Sequence, residues 1–245
     1  GAGIGNPILV VEALRISLRY NNIDFLYRYG FNLKNLEDFA CETYSLTPTG
    51  KYVKPKDFCE SKLAVATKMV KALLVIQIKL TLNCLETACQ IPGEIDYSEE
   101  LDRHKKLLAL LPTGVAENEV EWSQFLKKND LFLDCFFPTV DSSQVSVLSD
   151  KEQQIVDDLV CQFTNLPKVQ TDIRWLFEKG ETYRVVDNTL YFHAAIPSTE
   201  DEKLLSVKGR SGKELLDFIQ RDLKRISLKH QQNEKISLRE QMLLW

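Results

Sequence analysis

Thr182-Tyr-Arg-Val-Val186, Asp187-Asn188 and Thr189-Leu-Tyr-Phe192 follow one another without a break and give the clearest β signal in the chain. Two runs of β-branched and aromatic residues flank two residues that tolerate positive φ, which is the pattern of a hairpin closed by a two-residue turn. The chain continues His193-Ala194-Ala195-Ile196-Pro197, so a histidine stands at the strand end with small residues behind it.

Upstream of the hairpin the chain reads as helix. Asn6-Pro7 is a helix start, because Asn accepts from the first free amides and Pro fits the first helical position. Apolar residues from Ile8 to Leu18 follow at helical spacing until Asn21-Asn22. A short aromatic-rich piece from Phe25 to Tyr29 is closed by Gly30, and Leu33 to Tyr44 reads as a second helix. Ser45 to Lys56 is a loop. The longest helix runs from Asp57 to about Gln90, apolar on more than one side and therefore buried. Ile91-Pro92-Gly93 stops it, and another helix is expected from Ser98 to Leu111. Val115 to Val140 resists assignment; Leu131 to Phe137 reads as a buried strand or an aromatic plug. Ser149-Asp-Lys-Glu152 has the form of a capping box ahead of Ile155, Val156 and Leu159. Pro167 to Lys179 is a further helix, with Ile173, Leu176 and Phe177 apolar, stopped by Gly180. After the hairpin, Gly212-Lys213 opens a helix to about Leu228, and a last helix starts near Asn233.

The fold expected is α+β: a mainly helical region over 1–180, then a hairpin with helices over 181–245. The 245 residues hold only 10 Gly and 8 Pro, too few for an all-β chain of tight turns. A formal net charge of -4 gives no general reason to expect nucleic-acid binding. No leader of secretory type opens the chain and no stretch approaches the ~20 apolar residues of a membrane span. The six cysteines form no C-x-x-C pair, so they read as reduced thiols of a cytoplasmic protein. The chain opens on Gly rather than Met and ends in an apolar helical run with no stop signal, so both ends read as cuts through a longer chain.

Gly1-Ala-Gly-Ile-Gly5 is a turn into the first helix; the dinucleotide pattern requires a third Gly where Asn6 stands. His104 and His230 lie in polar stretches and read as surface residues. His193 is the candidate metal ligand, since imidazole at a strand end suits a divalent ion. On the pattern alone a single strand-end histidine reads as structural, because a metal site needs two or three further ligands. Between Lys203 and Glu240 there are ten Lys or Arg against five Asp or Glu. Within that excess, Arg210 and Lys213 are placed to receive an anionic substrate near a helix N-terminus. The plain alternative is an exposed basic loop without a ligand.

Several stretches taken together resemble the class III fructose-1,6-bisphosphatases. They are Gly1 to Asn6 with Leu14 to Asp24, Tyr29-Gly-Phe-Asn-Leu33, Phe39-Ala-Cys-Glu-Thr-Tyr44 and Phe137-Pro-Thr-Val-Asp141. They continue with Ile173 to Gly180, Leu190 to Pro197 and Ser211-Gly-Lys-Glu-Leu-Leu-Asp217, in an order and spacing that fit nearly the whole chain. The resemblance implies a calcineurin-like metallophosphoesterase with a large helical insertion. This chain would be the middle portion: the insertion plus a hairpin of the metallophosphoesterase sheet sandwich.

It also implies gluconeogenic hydrolysis of the 1-phosphate of fructose 1,6-bisphosphate by water activated on two divalent ions, manganese being expected. His193 would be a metal ligand, the others lying outside this chain. From charge and position rather than from the resemblance, Arg210 and Lys213 would steer the sugar bisphosphate, and no catalytic residue is assigned. Where the family usually has His-Gly-Cys-Ile-Pro, this chain has Ala194 and Ala195. The piece alone is expected to be inactive, with further copies of itself in a homo-oligomer but no nucleic acid or membrane as partner, and its C-terminal third is where self-association or disorder is expected. The other readings are a non-catalytic helical interaction or regulatory module, and a metal-dependent phosphatase for another sugar phosphate.

Overall fold

The computed structural model describes residues 2–49, 52–90, 98–99, 101–102, 105, 136–141, 143–192, 196, 198–201, 203–207, 209–232, 234–237 and 240–241. Two compact units, Gly1–Val169 and Gln170–Trp245, divide inside one helix.

In the first unit, Ala2–Ile4 makes one tight turn, and Gly5 at φ 77° turns the chain into α1 (Pro7–Arg19). A Cβ on Gly5 would lie 2.9 Å from Thr164 Cγ2, so the bare backbone is needed there for close approach as well as for its conformation. The Asn6 side chain accepts from the Leu9 amide at 3.2 Å, as the Asn-Pro pair predicts. The aromatic piece is itself helical: α2 runs Ile23–Tyr29 and ends at Gly30, whose φ of 97° is left-handed. α3 (Lys34–Thr43) buries Leu36, Phe39 and Ala40.

The centre of the unit is α4 (Glu60–Ala88), 29 residues long. Five successive residues, Met69 to Leu73, are buried, so this stretch is enclosed on all sides. α1 and α3 pack along α4, and α5 (Asp150–Asn165) packs on α1 and α3. The core between them holds Val10, Leu14, Leu18, Leu36, Leu73, Ile76, Val156 and Leu159. Burying each such aliphatic side chain contributes about 1.5–3 kcal/mol. The capping box at α5 forms as the spacing predicts, Ser149 accepting from the Glu152 amide and Glu152 from the Ser149 amide.

Two lysines of α4 are buried and hold the segment at 136–141. Lys71 Nζ donates to the Phe136 carbonyl and lies 4.4 to 5.9 Å from the ring centres of Tyr44, Tyr52, Phe136 and Phe137. Lys79 Nζ donates to the Thr139 carbonyl at 2.6 Å and to Glu152 Oε2 at 2.7 Å.

α6 spans Pro167–Lys179, as the sequence predicts, and most of it lies in the second unit. Its one buried residue is Val169, however, and Trp175 and Leu176 are exposed. Gly180 closes α6 through a bond from its amide to the Leu176 carbonyl at 2.7 Å. A Cβ on Gly180 would meet that oxygen at 2.3 Å, which leaves room only for glycine. β1 (Tyr183–Val186) and β2 (Thr189–Phe192) then form an antiparallel hairpin with Tyr183 opposite Phe192 and Val186 opposite Thr189. Asp187 and Asn188 have φ of 47° and 61°, the two left-handed positions of a type I′ turn.

α7 follows over Gly212–Gln231. The last helix begins later than Asn233. Ser237 caps Glu240, and Glu240 accepts back from the Ser237 amide at 2.9 Å, so the start is fixed by a capping box four residues downstream of the expected place. The structure is mostly helical with a two-stranded antiparallel sheet among the described residues. The helix expected from Ser98 to Leu111 is described at residues 98, 99, 101, 102 and 105, all helical. His104, Cys135, His193, Ala194, Ala195 and the stretch from Val115 to residue 135 lie outside the described residues.

Candidate functional site

The basic stretch after the hairpin sits where α7 begins. Lys213, Asp217 and Gln220 fall at i, i+4 and i+7, a spacing that puts all three on one helix face. Lys213 Nζ donates to Asp217 Oδ2 at 2.7 Å. The Tyr183 hydroxyl donates to Asp217 Oδ1. One turn along, Gln220 Oε1 accepts from the Thr182 amide at 3.1 Å and from the Thr182 hydroxyl at 2.9 Å. The Lys213 ammonium also stands 5.8 Å from the centre of the Tyr183 ring.

The charges respond accordingly. The Asp217 carboxylate, then the Tyr183 hydroxyl, raise the Lys213 pKa above its ordinary value. Donation by Lys213 and then by Tyr183 holds Asp217 below the usual carboxylate range. Both groups are therefore charged at neutral pH, and an anion arriving at Lys213 shares its ammonium with Asp217. Arg210 carries its guanidinium 4.4 Å from the centre of the Phe218 ring, a stacked cation–π contact. Ser211, the residue before α7, makes no side-chain cap, which leaves the helix's first amides without that acceptor.

Of the sequence-predicted site residues, Arg210 and Lys213 both stand at the start of α7, and His193 lies outside the described residues. His230 is half-buried rather than a plain surface residue, and burial pushes its pKa down. Among the described residues no three His, Cys, Asp or Glu side chains stand close enough to hold a metal ion. Cys41, Cys59, Cys84, Cys89 and Cys161 are free thiols. No helix among the described residues is long and apolar enough to cross a membrane. Asp217 and Gln220 drew no role from the sequence. The signal present was a polar i, i+4, i+7 stripe on a helix whose neighbours Leu215 and Ile226 are buried.

A family model described as Firmicute fructose-1,6-bisphosphatase matches residues 1–245. The chain belongs to the Firmicute fructose-1,6-bisphosphatase family. Similar proteins called fructose-1,6-bisphosphatase class 3 include one from Clostridium novyi, 30% identical over 225 residues, which make up 89% of this chain and 32% of that protein. One from Bacteroides fragilis is 31% identical over 230 residues, 89% of this chain and 32% of that protein. One from Porphyromonas gingivalis is 31% identical over 231 residues, 90% of this chain and 33% of that protein. The chain thus spans about a third of the length of the curated relatives it matches. No solved structure matches it. Within this chain, the stretch Ser211–Asp217 covers the first turns of α7, and Leu190 to Phe192 is the end of β2.

Proposed function

We propose that this chain is the middle portion of a fructose-1,6-bisphosphatase that hydrolyses the 1-phosphate of fructose 1,6-bisphosphate in gluconeogenesis. The observation that carries the reading is the family match over residues 1–245. Residues 1–180 are the helical insertion, and residues 181–245 are a slice of a metallophosphoesterase sheet sandwich completed from outside this chain. The hairpin supports this, because it ends immediately before His193.

A divalent metal, manganese by resemblance, supplies the activated water when bound. His193 contributes one ligand and the rest come from residues beyond this chain. Arg210 and Lys213 draw the sugar bisphosphate toward the start of α7, where the helix N-terminus adds positive potential. The enzyme works in the cytoplasm on a free sugar bisphosphate, without nucleic acid or membrane, as a homo-oligomer. The isolated chain is inactive for want of a complete ligand set.

The test is phosphate release from fructose 1,6-bisphosphate by the intact gene product, with and without manganese. Release that depends on the metal is expected, and its absence overturns the reading. A His193→Ala protein that keeps full metal content and activity removes His193 from the ligand set. An Arg210→Ala/Lys213→Ala protein with unchanged substrate KM removes both from the substrate site.

A further inference from the structure

The hairpin is held in an unusual way. Val185, Val186, Leu190, Tyr191 and Phe192 are exposed by 38 to 60%, so among the described residues apolar burial does little to fix it. Its attachment is polar and lies at its first residues. Thr182 is bound twice to Gln220, and Tyr183 is bound to Asp217. Tyr183 pairs directly with Phe192, the residue before His193. Cross-strand pairing makes the two positions move together, so a restraint on Tyr183 restrains the point where the chain leaves β2. Asp217 gives its second oxygen to Lys213, four residues back on the same helix.

We propose that Asp217 and Gln220 are positioning residues that moor the hairpin to α7, so that the strand leading into His193 and the basic start of α7 are held as one rigid unit. This rests on the roles given above to His193, Arg210 and Lys213. Neither Asp217 nor Gln220 touches the reacting atoms. Their contribution is geometric, since groups that must meet one phosphate lose rate steeply when they are displaced by an ångström.

The test uses the intact gene product and two independent readouts, amide hydrogen exchange over 183–192 and steady-state hydrolysis of fructose 1,6-bisphosphate. In Asp217→Ala/Gln220→Ala, hairpin exchange is expected to rise about tenfold or more while the α7 amides stay protected. In the same protein kcat/KM should fall by about 10- to 100-fold. Asp217→Asn keeps an oxygen for the Tyr183 hydroxyl and should restore both hairpin protection and kcat/KM, a rescue that an effect of the Asp217 charge alone would not show. If the double variant opens as a whole, Tyr183→Phe, which removes one hydroxyl, carries the test with a smaller rise in hairpin exchange. Unchanged hairpin exchange in the folded variants overturns the mooring. Faster exchange with unchanged kinetics overturns the positioning role. Faster exchange in a protein whose wild type releases no phosphate supports the mooring and removes the phosphatase reading instead.

Discussion

Lys79 Nζ lies 2.7 Å from Glu152 Oε2, with side-chain exposures of 1% and 0%. The two residues are 73 apart in sequence and join α4 to the first turn of α5. The same Glu152 oxygen accepts from the Ser149 amide at 2.8 Å, so one carboxylate neutralises a buried ammonium and closes a capping box. Charges removed from water in this way are tolerable only together.

Removing one member should therefore be severe. Lys79→Ala is expected to cost about 3–5 kcal/mol, since it strands a buried carboxylate. Lys79→Met with Glu152→Gln should recover much of that loss. Urea denaturation of the three proteins checks both statements, and a loss under about 1 kcal/mol for the single variant would mean that water reaches the pair.

Ser149→Ala should cost about 1 kcal/mol by removing the acceptor for the Glu152 amide. Ser149→Asp, which restores an acceptor at the same place, should recover most of it. Thermal unfolding of the pair of variants decides the matter; equal midpoints for Ala and Asp would sink the capping role.

Acid should loosen the C-terminal end through Glu240. Lys229, the Ser237 amide and Arg225 hold its carboxyl down at about 2 from an ordinary 4.5. A lowered folded-state pKa gives stability that is full above the unfolded value and is lost as pH falls through the folded one. The loss should thus run from roughly pH 4.5 to 2. Glu240→Gln should flatten that slope, which urea midpoints at pH 7 and pH 3 would reveal.

The hairpin turn offers a backbone test. Asn188 sits at φ 61°, where glycine is at ease and a β-branched residue is not. Asn188→Gly should leave the hairpin amides as protected as before or more so. Asn188→Val should expose them by about 1–3 kcal/mol of local strain. Hydrogen exchange over residues 183–192 distinguishes the two, and equal protection would argue against the left-handed turn.

Local chemistry was readable in the sequence and distant chemistry was not. Asp187-Asn188 between two β-rich runs specified a turn and its register, and Asn6 and Ser149 announced the helices they cap, because each signal acts within three or four residues. Lys71 and Lys79 look like ordinary polar breaks in an apolar helix, and their burial depends on the segment at 136–141 folding over them. Asp217 and Gln220 fail for a similar reason, since their role exists only once the hairpin lies beside α7. α6 shows the converse limit, since Leu176 is apolar at helical spacing yet exposed: periodicity marks a residue without stating what will cover it. The last helix follows the Ser237–Glu240 box, four residues beyond Asn233, because a reciprocal cap outweighs a lone asparagine.

The enclosure of Lys71 and Lys79 also sorts the chain's amines by chemical reach. An amine-directed acylating reagent must meet a free, deprotonated nitrogen, and these two are shut among aromatic rings, carbonyls and a carboxylate. Exposed lysines such as Lys34, Lys151 and Lys213 should acquire label first. Label on Lys71 or Lys79 would then register the moment at which the helical unit opens, and peptide mass mapping could follow that opening with no added probe.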